Sequence, residues 1–326
     1  MTGSAPGVTV VYTTYRPVPH FDWFADSLAR QAGDADVEVV LVDGLHAPER
    51  TAAFGEMVRG RFAFRHVPPM PSPYAGPFRR TQRDLFSAAS ARNTGIVHAS
   101  KPYVVFCDDL AVLMPDWWSE VRRAAADGYV VAGAYQKHRE MVVQDGILAA
   151  SCCDPSGVDT RWQTGDDSRL VRIEGSQLFG CSFGAPRALL VEVNGFDELC
   201  DSIGGEDAHC GVRVTFSGAA IYYSRRMLTI ESQEGHGAGT PRWRIDRKTL
   251  PSVYLRRLRE FGVGRRCVNG AWDSSHMIID ILYGTRSNQP MGNYYLIETL
   301  NEAALTGIVS RFPTTYWFDG RMLSEL

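Results

Sequence analysis

Residues 103–106, Tyr-Val-Val-Phe, are apolar at every position, and Cys107-Asp108-Asp109-Leu110 follows directly. An unbroken apolar run of this length reads as a strand buried on both faces, the habit of a parallel sheet. Two adjacent carboxylates then fall where the strand ends. In an open α/β sheet, ligands bind in the crevice beyond the carboxyl ends of the strands. Neighbouring carboxylates repel each other and resist desolvation unless a cation or donor groups neutralise them. A divalent metal does this, and a metal in turn holds phosphates. The same pair fits a solvated turn ahead of the helix that Met114-Pro115-Asp116 begins, and this stretch alone leaves both readings open.

The rest of the chain supplies the sheet. Residues 8–12 form a β-branched run ending in Thr13-Thr14-Tyr15-Arg16-Pro17. A helix follows with Phe21, Phe24, Leu28 and Ala29 on one face. Residues 37–42 are a second strand ending in Asp43-Gly44, residues 47–59 a short helix and residues 62–67 a third strand. This alternation predicts a doubly wound sheet with right-handed crossovers. The prolines between residues 68 and 77 predict a long loop, with Arg79, Arg80 and Arg83 after it as either a solvated helix start or a cationic rim. The next helix, residues 85–99, carries Ala91-Arg92-Asn93-Thr94-Gly95.

Downstream we expect a helix over 115–126, a strand over 129–135 and an irregular or small β excursion over 136–175, where Asp166-Asp167 reads as a solvated turn. A strand over 177–183 and a helix over 186–193 capped by Asn194-Gly195 come next. Gly204-Gly205 then allows a tight turn, and Glu206-Asp207 opens a helix over 207–216 whose N-terminus favours negative charge. A strand over 219–223 leads to a loop over 225–240 holding Glu231, Glu234 and His236. From Pro241 the chain turns basic and helical, which predicts two units: residues 1–240, and a mainly helical extension over 241–326 that packs on the first and offers a homodimer surface.

Composition narrows the function. With 326 residues, 44% hydrophobic and 22% charged, the chain can bury a full core. A net charge of −3 exerts no global pull toward nucleic acid or membrane. The first seven residues have no charged or long apolar segment and no stretch reaches membrane-spanning length, so the expected location is the cytoplasm. Seven irregularly spaced cysteines without a CxxC pair argue against a zinc knuckle.

Taken in order, these pieces resemble a GT-A-fold glycosyltransferase, most like glycosyltransferase family 2. Thr13-Thr14-Tyr15-Arg16-Pro17 resembles the family's first-strand nucleotide motif, and Asp43 the acid that reads the base. Ala91-Arg92-Asn93-Thr94-Gly95 resembles the Ala-Arg-Asn-x-Gly helix. Phe106-Cys107-Asp108-Asp109 resembles the metal motif, and Gly204-Gly205-Glu206-Asp207 the acid motif that carries the base. The usual metal motif is Asp-x-Asp; here Leu110 follows Asp109, as in a family variant whose second aspartate holds the metal and whose first reaches the ribose.

The resemblance implies a mixed sheet flanked by helices, a nucleotide-sugar donor (UDP ahead of GDP) and inversion at the anomeric carbon. It implies Asp207 as general base, with Glu206 orienting acceptor or sugar. Thr13, Thr14, Tyr15, Arg16, Asp43, Arg92, Asn93 and Asp108 would hold the donor, Arg92 by fixing Asp43 or a phosphate. Asp109 and His236 would ligate Mn²⁺ or Mg²⁺. Trp162 and Trp243 are candidate sugar platforms; Trp117 and Trp118 read as core. A nucleotidyltransferase would need a Gly-rich loop with a lysine after the first strand, which residues 13–17 lack. A degenerate nucleotide- or glycan-binding module would have lost an acid pair, and both are intact. The acceptor hydroxyl stays open among glycan, protein, small molecule and modified nucleic acid.

Overall fold

The computed structural model describes residues 6–69, 87–165, 167–193, 195–196, 201 and 205–234. The first half alternates as its pattern predicts: β1 (Val8–Thr14), α1 (Phe21–Ala32), β2 (Val37–Asp43), α2 (Pro48–Val58), β3 (Ala63–Val67), α3 (Ala88–His98) and β4 (Tyr103–Asp108). Then come β5 (Ala111–Leu113), α4 (Trp117–Asp127), β6 (Val130–Gln144), β7 (Ile147–Val158), β8 (Val171–Ile173), β9 (Ser182–Pro186), α5 (Arg187–Glu192), α6 (Glu206–Phe216) and β10 (Ile221–Ser232). Among the described residues these strands form one mixed sheet, ordered β3-β2-β1-β4-β9-β6-β10-β5, with β7 on β6 and β8 on β10.

Strands β3, β2, β1 and β4 are parallel, so their carboxyl ends share one edge. β9 runs antiparallel between β4 and β6 and brings its amino end to that edge. The valine-rich strands are buried on both faces, and polar residues within them, Thr9 and Glu38, are buried too, with Thr9 Oγ1 donating to Glu38 Oε2 at 2.6 Å. Val10, Tyr12, Val39 and Val105 pack with Phe24, Leu28, Phe54 and Val121, on the side of α1, α2 and α4. Val11, Val40, Val104 and Phe106 pack with Ala91, Ile96, Leu190 and Val214, on the side of α3, α5 and α6. Among the described residues no helix is long and apolar enough to cross a membrane.

Helix α3 lies flush against the sheet, with every residue from Ala88 to Ile96 buried. Small side chains allow this. A Cβ on Gly95 would stand 2.2 Å from Val11 Cγ1, so only glycine permits so close a helix–strand approach. The start of α3 is capped from afar: the buried Asp201 carboxylate accepts from the backbone N–H of Ala89 at 2.7 Å and of Ser90 at 3.3 Å. Negative charge is favoured there by the unpaired amides and by the helix dipole. Asp201→Ala should strand two buried donors at about 1–3 kcal/mol. At about 2–4 °C per kcal/mol this is a melting temperature lower by several degrees. The exposed Asp167→Ala should stay within about 0.5 kcal/mol of wild type. Equal melting of the two variants would count against the cap.

Several expectations need correction. Of the two readings open for residues 136–175, irregular chain or a small β excursion, the β reading holds and is longer than expected: a hairpin, β6–β7, turning at Asp145 (φ 48°) and Gly146 (φ 72°). Two successive left-handed residues, Asp-Gly, are a standard hairpin turn. The strand expected over 177–183 begins at Ser182; residues 175–177 form a short 3₁₀ turn held by a capping box between Glu174 and Gln177. The strand expected to stop at Tyr223 continues to Ser232 past a bulge between Ser224 and Thr229. Glu231 is therefore on β10 and not in a loop, because Thr229–Ser232 pairs with β6 and Thr229–Glu231 with β5. Expectations for Arg79, Arg80, Arg83, Asp166, Asn194, Gly204, His236, Trp243 and the extension from residue 241 onward lie outside the described residues.

Candidate active site

The parallel register of β1 and β4 sets Thr13 beside Asp108. Hydroxyls at the end of β1 then bind the two carboxylates at the end of β4. Thr13 Oγ1 donates to Asp108 Oδ1 at 3.3 Å and Thr14 Oγ1 to Asp109 Oδ2 at 2.7 Å. Arg16 Nε donates to Asp109 Oδ1 at 3.1 Å. The turn beyond is pinned on both sides: Leu110 N donates to Pro19 O, and Ser232 N donates to Leu110 O, each at 3.0 Å. Leu110 has φ 63° and is buried. A left-handed leucine costs about 1–2 kcal/mol, and here it turns the chain sharply just after the paired acids.

The second acid pair meets the first through Arg92. From α3 its Nη2 donates to Asp108 Oδ1 at 2.9 Å and its Nη1 to Glu206 Oε1 at 2.6 Å, with the guanidinium side chain only 5% exposed. Burial disfavours the charge, but Asp108, Glu206 and Asp207 together hold it firmly protonated. Arg92 therefore links the end of β4 to the start of α6; of the two roles expected for it, fixing Asp43 or a phosphate, the bond to Asp43 is not among those it makes in the described residues. Asp43 has its own partners: Arg50 Nε at 2.7 Å, the Leu45 amide at 2.8 Å and His66 Nε2 at 3.2 Å. Burial pushes the Asp43 carboxyl up, and these three bonds outweigh it and hold it below its usual range.

Asp207 is half-buried in the first turn of α6. Its Oδ2 accepts from Gly180 N at 3.0 Å and its Oδ1 from Ala208 N at 2.8 Å. Burial and the adjacent Glu206 charge raise its carboxyl to about 6, against the pull of Arg92 and the two amides. Each carboxylate oxygen has a second lone pair, so anchoring both leaves the group oriented and still able to accept. Gly180 is necessary to this arrangement. A Cβ there would meet Arg92 Cζ at 2.4 Å. No local pattern marks Gly180 or Asp201, because their partners are remote in the chain.

Other expected ligands sit differently. Asn93 is fully buried, with its Nδ2 donating to Phe196 O at 2.9 Å and its Oδ1 accepting from Phe196 N at 2.8 Å. Both ends of its amide are thus spent on backbone, and it acts as a strut. Tyr15 is buried with its hydroxyl on Ser87 O at 2.7 Å and its ring against Gly44. Trp117 and Trp118 are core, and Trp162 is half-buried with the Arg225 guanidinium over its ring at 4.8 Å. Cys107, in the core, and Cys181 stand beside the acids, and burial and nearby carboxylates push both thiols well up, which favours the neutral thiol.

The donor set fits a hard divalent cation. Among the described residues the cleft sets four carboxylates, Asp108, Asp109, Glu206 and Asp207, against the guanidiniums of Arg16 and Arg92. Burial, with Asp108 adding to it, raises the Asp109 carboxyl to about 6 despite Arg16 and Thr14. Among the described residues no three His, Cys, Asp or Glu side chains group closely enough to hold an ion alone. Mg²⁺ in particular is commonly bound by one or two carboxylates, with substrate phosphates completing the shell.

Comparison with known proteins gives three results. The family described as Glycosyl transferase family 2 matches residues 10–185, more than half of the chain. No curated protein matches by sequence. Among solved structures, a Pyrobaculum calidifontis mannosyltransferase in complex with GDP-Man and Mn²⁺ aligns at 18% identity and TM-score 0.50, covering 95% of this chain and 74% of that one. S. aureus TarS residues 1–349 in complex with UDP-GlcNAc align at 13% identity and TM-score 0.54, covering 91% and 77%. GalNAc-T7 with UDP, GalNAc and Mn²⁺ aligns at 13% identity and TM-score 0.53, covering 95% of this chain and 55% of that chain. At these identities the likeness speaks to the fold.

Proposed function

Because the chain belongs to glycosyl transferase family 2 and is a glycosyltransferase, we propose that it moves a sugar from a nucleotide-sugar to an acceptor hydroxyl with inversion at the anomeric carbon. The observation that carries this reading is the meeting of Asp108 and Glu206 on one guanidinium, Arg92, which puts the paired acids of β4 and the first turn of α6 in one cleft. Asp207 would accept the proton of the acceptor hydroxyl as its oxygen attacks the anomeric carbon. The bond from that carbon to phosphate breaks, and its electron pair stays on the leaving nucleoside diphosphate. A base raised to about 6 is well suited to the task, since it is ionised at neutral pH and still basic enough to take a proton.

Asp109, with Asp108 beside it, would hold Mn²⁺ or Mg²⁺; such an ion, when bound, offsets charge on the leaving diphosphate. Thr14 and Arg16 keep the Asp109 carboxylate in place. Asp108, 35% exposed and hydrogen-bonded by Thr13, is open to a ribose hydroxyl. Structurally similar proteins are complexed with GDP-Man, with UDP-GlcNAc and with UDP, GalNAc and Mn²⁺, which sets the panel to test. UDP- and GDP-sugars should raise the melting temperature in the presence of Mn²⁺ or Mg²⁺, and at least one should release its nucleotide slowly to water. If no nucleotide-sugar stabilises the protein or is turned over, the reading fails.

A further inference from the structure

We propose that Arg92 is a positioning residue that couples the donor side of the cleft to the base, by holding Asp108 and Glu206 in one fixed relation; this rests on the function proposed above. A guanidinium is a rigid planar fork. Its two terminal nitrogens each take one carboxylate, at 2.9 Å on Asp108 and 2.6 Å on Glu206. Glu206 is the residue before Asp207 in the first turn of α6. A shift of Asp108 when the donor binds is thus passed through Arg92 to the turn that carries Asp207.

The surroundings leave Arg92 little freedom. Its stem rises from the fully buried stretch of α3, its Cζ lies 5.6 Å from the Phe196 ring centre, and the absent side chain of Gly180 leaves the space it fills. Gly180 in turn gives its amide to Asp207. Among the described residues Arg92 Nε has no acceptor, so the hold is exerted by the two terminal nitrogens alone. Lysine cannot replace this. A single ammonium on a flexible stem can balance the charge but cannot fix two carboxylates in one plane.

The experiment uses the full chain, a UDP- or GDP-sugar that wild type hydrolyses, and the variants Arg92→Lys, Glu206→Ala, their double and Glu206→Gln. Arg92→Lys should change affinity for the free nucleoside diphosphate by less than about threefold while kcat falls about 10²-fold, since misplacing reacting groups by about 1 Å costs that much. Glu206→Ala should show the same split, and Glu206→Gln, whose amide oxygen can still accept from Arg92, should recover part of the loss. The double variant should lose no more than the worse single, because both changes break one linkage. If Arg92→Lys does not fold, Glu206→Ala carries the test alone, as Arg92 keeps Asp108 in that variant. Wild-type kcat in Arg92→Lys or Glu206→Ala, a loss expressed mainly in nucleotide affinity, or losses that multiply in the double variant each overturn the proposal. A wild-type protein that hydrolyses no nucleotide-sugar overturns the functional reading beneath it, and the proposal with it.

Discussion

Asp207→Asn should bind nucleotide like wild type and lose transfer, with turnover lower by about 10²–10⁴-fold, the usual contribution of a positioned general base. Binding should survive because the Asp108 and Asp109 side chains, with Thr13, Thr14 and Arg16, are untouched by the change. Turnover should not, because an amide cannot take the acceptor's proton. The pH profile sharpens the test. Asp207 is raised to about 6 by burial and by Glu206. It works ionised, so log kcat/KM for wild type should fall as pH drops below about 6, the ionised fraction shrinking about tenfold per unit. With Mn²⁺ or Mg²⁺ at saturation, which keeps Asp109 ionised, the residual rate in Asp207→Asn should no longer follow that limb. Calorimetry with UDP and GDP measures the first half, and nucleotide release from the sugar donor measures the second. Wild-type-like turnover in the variant would remove Asp207 as the base.

Much of this arrangement is legible in the sequence, for identifiable reasons. The strands β1, β2 and β4 announce themselves as β-branched runs, since burial on both faces leaves no polar alternation to confuse them. The acid pairs stand out because each follows a signal for an element's end or start: Asp108-Asp109 after an apolar strand, Glu206-Asp207 after a glycine turn. What joins the pairs is not legible. The motif around Arg92 names the residue but not its direction, because its partners Asp108 and Glu206 lie 16 and 114 residues away in the chain. Asn93 shows the same limit, since its motif says nothing of Phe196, the backbone partner that uses both ends of its amide. The length of β10 is hidden by Arg225-Arg226, charged residues that read as loop and sit at a bulge. The Asp145-Gly146 turn, by contrast, was a readable hairpin signal inside a stretch whose polarity suggested irregular chain.

Asp109→Ala should abolish the response of nucleotide affinity to divalent cation. Asp109 is the carboxylate best placed to need a second positive charge. It is held by Thr14 at 2.7 Å and Arg16 at 3.1 Å, and burial, with Asp108 beside it, raises its carboxyl to about 6. A divalent ion held by Asp109 would supply positive charge beside a diphosphate, and holding it requires an ionised oxygen donor. Without the carboxylate, Asp108 alone faces the phosphates, and its Oδ1 is already shared between Thr13 and Arg92. In wild type, UDP or GDP binding should tighten on adding Mn²⁺ or Mg²⁺ by about 10–100-fold, the worth of about 1.4–2.8 kcal/mol. In Asp109→Ala, titrations with and without the ion should superimpose near the metal-free wild-type affinity. Loss of the carboxylate also removes a negative charge from beside the diphosphate, so metal-free affinity should not fall further. An ion response preserved in the variant would place the cation on other residues and detach Asp109 from it.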